Sequence, residues 1–479
     1  MKNLLKKFRN MPENLKATMV FAIASFATSG INYITTPIFT RLLTTAEYGV
    51  VSVYNSWFSI VQVFATVTLI NPGILNVGLY DHRDNRWKYL SSMLGITAVS
   101  TGVLSVLYIF FSKWVNAAFT LPTSLMVLML AMCFLQPATI FWTFKQRYEY
   151  SYKITFIVSV GSAILAQLVS IGAVLICDKH GVGSLAEVRL WSAGAVNLIV
   201  ALVLYIYICS KGKAYVDVPL WGKTLIVAIP LIPHYLSSVL LTSTDKIMIS
   251  HMLGEDKTGI YSLAAILSAI GVLLWRALSV TYTPFVNAKL GERKFSEIRS
   301  AVKPLLLAVG VLCVITSLAA PEILRVLATA EYLEGVYVVP PVAAGIFIHA
   351  LYDNFTAISF FHKKSVRIML ATVTSAVINI VLNYFCISRF GYIAAGYTTL
   401  ISNLVLTGMH YINARQIEKE KVYDPKFSLL MVVGVTVACL LCNLLYGFLW
   451  IRYILIALLL VFIFLKRKYI ISTLISMKV

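Results

Sequence analysis

Apolar runs of about twenty residues recur along this chain from one end to the other, each the length of a helix that crosses a hydrocarbon core of about 30 Å. They fall at 17–40, 49–70, 90–111, 121–144, 154–177, 190–209, 224–250, 259–280, 302–320, 336–361, 369–387, 393–412, 429–449 and 453–465. The runs lack the period-two alternation of strands, and the polar turns between them are too short for a soluble domain. Within lipid, a helix satisfies its own backbone. The predicted fold class is therefore an all-α polytopic membrane protein of about fourteen transmembrane helices.

The same pattern contains a repeat. Arg41-Leu-Leu-Thr-Thr-Ala-Glu-Tyr-Gly49-Val-Val-Ser52 lies over His251-Met-Leu-Gly-Glu-Asp-Lys-Thr-Gly259-Ile-Tyr-Ser262 at a constant offset of 210, matching Leu43 with Leu253, Gly49 with Gly259 and Ser52 with Ser262. Each copy forms the turn between two spans. An even number of spans separates the copies, so they share one orientation, and an axis along the membrane normal should relate them. This predicts two six-helix lobes, 1–215 and 216–420, facing each other across a cavity, with two further helices in 421–479.

Charge fixes the expected orientation. One alternate set of loops is basic: Lys2, Lys6, Lys7, Arg9 and Lys16, then Arg83, Arg86 and Lys88, and on to Lys466, Arg467, Lys468 and Lys478. The other set holds little beyond Arg41, Lys113, Lys179, Arg189, Lys257, Arg325, Arg389 and Arg452. The positive-inside rule places both termini in the cytoplasm. The basic start is followed by an apolar run too long for a signal peptide and reads as a retained first span.

Composition narrows the function classes. The chain is 59% hydrophobic and only 13% charged, and its mean hydropathy is +0.83. Its net charge of +20 is scattered through the loops, as topogenic charge is, which argues against nucleic acid as a partner. The seven cysteines lie within or at the ends of apolar runs, and the Cys439-x-x-Cys442 pair has no second ligand pair nearby. No phosphate-binding glycine loop, zinc spacing or catalytic triad is present, so the expectation is no cofactor, no metal site and no catalytic residue.

The stretch Pro37-Ile-Phe-Thr-Arg-Leu-Leu-Thr-Thr-Ala-Glu-Tyr-Gly-Val, its echo from Thr244 through Gly254 to Tyr261, and a third stretch from Lys363-Lys364 through Asn379 and Asn383 to Gly391-Tyr-Ile-Ala-Ala-Gly396 together resemble the Wzx-type O-antigen and polysaccharide repeat-unit flippases. These belong to the multidrug/oligosaccharidyl-lipid/polysaccharide exporter superfamily. The resemblance implies two helix bundles around an alternately opening cavity in the bacterial inner membrane. It also implies a substrate built from undecaprenyl diphosphate and a short oligosaccharide, with membrane lipid, an H+ or Na+ gradient and polysaccharide polymerases as further expected partners.

Such a substrate needs cations for its diphosphate and hydrogen-bonding or stacking groups for its sugars. Arg276, in the eighth span and about one turn before its expected end at Val280, is the first candidate for the diphosphate; the competing reading is a side chain that snorkels to the headgroups. Asp353, with His349 one turn earlier and Asn354 beside it, is a candidate polar cavity site. Asn32, Tyr54 and Asn55 are candidate substrate-binding residues of the cavity, with interhelical hydrogen bonding as the competing reading. Asp245 and Asp353 are candidates for ion coupling; Asp245 with Lys246 reads equally as a structural pair. Tyr33, Gln136, Gln167, Asn197, Asn379, Asn383 and Asn403 read as interhelical hydrogen-bonding groups. Pro37, Pro230 and Pro233 interrupt the first and seventh spans and are candidate hinges.

Three rivals remain. A multidrug extruder of the same superfamily would be expected to carry a carboxylate in the first span, and 17–40 has neither Asp nor Glu. A flippase for the peptidoglycan lipid precursor shares the diphosphate-linked lipid. A membrane glycosyltransferase or polymerase needs an extramembrane catalytic loop that these turns are too short to provide.

Overall fold

Each predicted span falls on helical chain in the computed structural model, the seventh and eighth on two α-helices each; the structure describes residues 12–181 and 183–477. Lys2, Lys6, Lys7, Arg9 and Lys478 lie outside the described residues. The chain runs through α1 (Glu13–Leu42), α2 (Thr45–Ala65), α3 (Pro72–Asp81), α4 (Arg86–Phe119), α5 (Thr123–Tyr148), α6 (Tyr152–His180), α7 (Leu185–Gly212) and α8 (Val218–Ala228). It continues through α9 (Ile232–Leu253), α10 (Glu255–Ser268), α11 (Ile270–Gly291), α12 (Phe295–Leu318), α13 (Ala320–Leu327), α14 (Val339–Phe361), α15 (Ser365–Phe390), α16 (Ile393–Ile417), α17 (Pro425–Leu441) and α18 (Leu449–Ser476). Among the described residues no strand occurs.

Twelve of these segments are long and apolar enough to cross a membrane. The other two predicted spans fall on α2 and α16, helices of 21 and 25 residues with more Tyr, Ser, Thr and Asn. Several boundaries differ from the sequence expectation, among them that of the third span, whose helix runs on from Phe111 to Phe119. The second span ends at Ala65, because 66–70 form a turn in which Val67 and Thr68 take φ of 47° and 60°. Pro72 at the first position of α3 then restarts a helix. The eighth span runs on from Val280 to Gly291, and the last reaches Ser476.

Capping chemistry explains the turn in each copy of the repeat. Thr44 Oγ1 accepts from Glu47 N at 3.2 Å while Glu47 Oε2 accepts from Thr44 N at 3.0 Å, a reciprocal box that starts α2. Glu47 Oε1 also accepts from Leu185 N at 2.9 Å, tying α2 to the first residue of α7. In the second copy Gly254 occupies the cap with φ 92°, a conformation open to glycine. Both helices start at the same register, Thr45 and Glu255 being 210 apart, and Gly49 and Gly259 are each the fifth residue.

The chain divides into two compact units, Met1–Val239 and Leu240–Val479. In the first, Met93, Phe141 and Trp142 form one apolar cluster, and Val53, Tyr54 and Met129 belong to another. Gly212 ends α7 where a Cβ would collide with the Trp87 carbonyl of α4, so only glycine fits. In the second unit Phe347, Leu351 and Phe355 of α14 sit in a cluster that extends to Val435 and Cys439 of α17. The last helix is held there by Arg452, 2% exposed, whose guanidinium grips Glu322 at 2.6 and 2.7 Å and donates to the Leu318 carbonyl at 2.9 Å. Large apolar side chains such as Phe110, Trp114 and Leu465 are exposed on the outside, as lipid-facing helices require.

Candidate functional site

Two polar clusters lie inside the second unit, and the sequence candidates divide between them. The first is built on Asp245 of α9, which is 4% exposed. Its Oδ2 accepts from Tyr261 of α10 and from Thr399 of α16, each at 2.6 Å, and its Oδ1 accepts from Asn383 Nδ2 of α15 at 2.7 Å. Asn383 donates also to Asn379 Oδ1 at 3.2 Å and accepts from Thr398. Asn379 and Asn383 are four apart on α15 and so share a face. One carboxylate therefore holds four helices through neutral donors. A buried carboxylate needs such donors to offset its lost hydration. Among the described residues no ion pair within 4 Å joins Asp245 to Lys246, although the Lys246 charge acts on the carboxylate alongside this network.

The second cluster joins α11 to α14. Trp275 Nε1 donates to Asp353 Oδ2 at 2.6 Å. The neighbouring charge of Arg276 and the imidazole of His349 both act on Asp353. His349 and Arg276 are exposed, and the His349 ring lies 4.8 Å from that of Tyr352. Because α11 continues to Gly291, Arg276 is fifteen residues (276 to 291) from that end, or about 22 Å. The helix therefore runs well past the end expected at Val280, and Arg276 lies within the apolar run that precedes that extension. Asn354 belongs elsewhere: it is 1% exposed and donates to Ala350 O of its own helix at 2.8 Å.

The first unit spreads its candidates. Asn32 of α1 accepts from Gln167 of α6 at 3.1 Å, and Gln62 donates to Gln136 at 3.0 Å, both interhelical bonds. Tyr54 is 5% exposed and packs within an apolar cluster, whereas its neighbour Asn55 is exposed on α2. Pro37 lies inside α1, which continues to Leu42. Pro230 and Pro233 sit at a real interruption: a 3-10 helix, Ile229–Leu231, separates α8 from α9.

The structure adds residues that sequence reasoning passed over. Trp275, Tyr261, Thr398 and Thr399 complete the two clusters. An indole in mid-span was the available signal for Trp275, since its N–H needs a partner when buried. Tyr261 and the threonines carried no such mark. Among the described residues no group of three or more His, Cys, Asp and Glu is placed to hold a metal ion.

Comparison with known proteins agrees with this helical plan. A family model described as polysaccharide biosynthesis protein matches residues 15–285, and the MatE family model matches residues 230–385. No match was found among curated proteins. Among solved structures, the lipid II flippase MurJ in an inward closed conformation is similar with a TM-score of 0.66 and 15% identity, over 94% of this chain and 100% of that one. The Vibrio cholerae MATE transporter VcmN, as a mutant, follows with a TM-score of 0.55 and 10% identity over 86% and 97%. An inward-facing multidrug resistance MATE family transporter of the MOP superfamily gives 0.52 and 14% over 87% and 98%. At such identities the likeness concerns the fold.

Proposed function

The chain belongs to the polysaccharide biosynthesis protein family, within the multidrug/oligosaccharidyl-lipid/polysaccharide exporter superfamily, and from that premise we propose that it flips an undecaprenyl-diphosphate-linked oligosaccharide repeat unit. The movement is from the cytoplasmic to the periplasmic leaflet of a bacterial inner membrane, by alternating access, for O-antigen, capsule or exopolysaccharide synthesis. A multi-pass membrane protein of this superfamily is a transporter rather than an enzyme.

The observation that carries the substrate class is Arg276. A guanidinium within an apolar run is costly in hydrocarbon, and its proposed role is to meet the diphosphate. Asp353, with Trp275 fixing one of its oxygens, supplies a counter-charge while no diphosphate is bound. His349, exposed on the same helix as Asp353, remains available for sugar hydroxyls. An organic cation, the substrate of the multidrug reading, would be repelled at Arg276. Asp245, a buried carboxylate that accepts from three neutral donors, is the proposed locus of H+ or Na+ coupling, because hard cations favour oxygen ligands. Both termini are proposed to be cytoplasmic, and polysaccharide polymerases are the proposed downstream partners.

Replacement of Arg276 tests the reading. Lys keeps the charge and loses the planar fork; Gln loses the charge. Complementation of a repeat-unit flippase deletion, scored by surface polysaccharide at matched membrane abundance, should be weakened by Arg276→Lys and nearly abolished by Arg276→Gln. Full complementation by Arg276→Gln would remove the diphosphate role. Rescue of a peptidoglycan-precursor flippase deletion instead would redirect the substrate assignment.

A further inference from the structure

We propose that a groove between α14, α16 and α17 holds one acyl chain of an anionic phospholipid, whose phosphate is met by Arg415 and Lys426. The inference stands apart from the translocation reading, since lipid retention is measured without transport. The groove encloses about 300 Å³. Leu351 and Phe355 of α14, Leu404 of α16 and Val432 of α17 make it apolar. Thr407, whose hydroxyl donates to the Ile348 carbonyl at 3.3 Å, lines it deeper in, and two further hydroxyls lie toward one end: Tyr411 toward the end of α16 and Ser428 in the first turn of α17. Neither hydroxyl makes a hydrogen bond among the described residues. From Tyr411 back to Leu404 the groove runs seven residues, about 10 Å. An apolar channel of that depth with unpartnered hydroxyls at its mouth suits a chain below an ester-linked headgroup.

Charge at the mouth selects the headgroup. Arg415 lies one turn beyond Tyr411 on the same face of α16, and together with Phe355 and Tyr411 it lines a smaller adjoining cleft. Its Nη1 donates to the Lys419 carbonyl at 3.0 Å, which leaves the other donors of the guanidinium for a phosphate. Lys426 follows Pro425 in the first turn of α17, is exposed, and has no ion pair among the described residues. Glu418 and Glu420 line that cleft with Arg415 and share Arg293 at 3.2 and 3.0 Å, and Asp424 pairs with Lys303 at 3.6 Å, so the cations of this end outnumber its acids. Basic clusters at the membrane boundary between helices recognise anionic lipid headgroups. Gly408 also lines the groove, and a Cβ there would meet nothing within 4 Å, so the space is open to a substituent.

The test uses the purified full chain in detergent, titrated with phosphatidylglycerol or phosphatidylcholine of the same acyl chains and read by native mass spectrometry. The wild type should retain phosphatidylglycerol about tenfold more tightly, a difference of about 1.4 kcal/mol. Gly408→Trp should abolish retention of both lipids. Arg415→Gln combined with Lys426→Gln should erase the preference while phosphatidylcholine binding persists, a result that loss of folding cannot mimic; Arg415→Lys should keep most of it. Equal retention of the two lipids by the wild type, or an unchanged preference in the double variant, overturns the proposal. So does displacement of phosphatidylglycerol by undecaprenyl phosphate at lower concentration with the double variant unaffected, which would give the groove to the polyprenyl chain.

Discussion

Asp245→Asn is the perturbation whose cost the structure defines most closely. The carboxylate accepts three hydrogen bonds, two at 2.6 Å on Oδ2 and one at 2.7 Å on Oδ1. An amide can accept on one side only, and its NH2 must face either Asn383 Nδ2 or the two hydroxyls. At least one charge-assisted bond, about 1.5–3 kcal/mol, is lost, and the others fall to neutral strength at about 1 kcal/mol each. Relief from burying a charge offsets part of this, so the expected net loss is about 2–4 kcal/mol. Combining Asp245→Asn with Asn383→Asp reverses the pair and returns a carboxylate that Thr398 already faces. The double variant should recover at least half of the loss, a coupling of about 1–3 kcal/mol. A thiol-reactive dye reads unfolding in detergent, because Cys133, Cys313, Cys439 and Cys442 are buried until the helices part. An unchanged midpoint for Asp245→Asn, or additive losses in the double variant, would refute the reasoning.

Trp275→Phe keeps the ring volume but removes the donor to Asp353; it should cost about 1.5–3 kcal/mol and lower complementation at normal membrane abundance, with no change in either refuting a linked role for the pair. At the last helix the losses should be unequal: Glu322→Ala leaves Arg452 buried and unpaired and should cost about 3–5 kcal/mol, whereas Arg452→Met, which leaves a partly exposed carboxylate, should cost clearly less. The reverse order in detergent unfolding would count against it. Reporter fusions after Lys88, Lys213, Lys303 and Lys421 should be cytoplasmic, and those near Lys113, Asp256 and Glu334 periplasmic; two or more reversals in the first group would overturn the orientation.

Span positions were legible because lipid imposes one rule on every helix, so apolar length reports each crossing directly. Ends were less so. At Val280 the apolar run stops but the helix does not: Thr, Tyr and Asn side chains cost an already nucleated helix little, and the helix runs through Pro284 despite its missing N–H. At Ala65 the opposite holds: an apolar and threonine-rich stretch bends into a turn with neither Gly nor Pro inside it, several residues before Asn71-Pro72-Gly73 would mark a break. For the candidate clusters, Asp245, Asp353 and Arg276 stood out as charges in apolar surroundings, which is the signal expensive groups leave. Their partners did not. Tyr261, Thr398 and Thr399 are ordinary residues of membrane helices, and only the packing of α10 and α16 against α9 brings them to the carboxylate. Tyr54 and Asn55 show a similar limit, for adjacent helical positions point about 100° apart and only the fold tells which one faces the core.

The Asp245 network also sets a problem of timing during synthesis. The carboxylate is bonded to residues 138 and 154 positions later in the chain, whereas Tyr261 follows by only 16. At about 5–20 residues per second, α9 leaves the ribosome roughly 10–30 s before Thr399 exists. Through that interval an aspartate that costs about 2.5–3.5 kcal/mol at a helix centre has one native partner within reach. Helix α9 must therefore wait at the insertion machinery or rest on α10 alone, and its secure place in the bilayer is conferred by helices that have not yet been made.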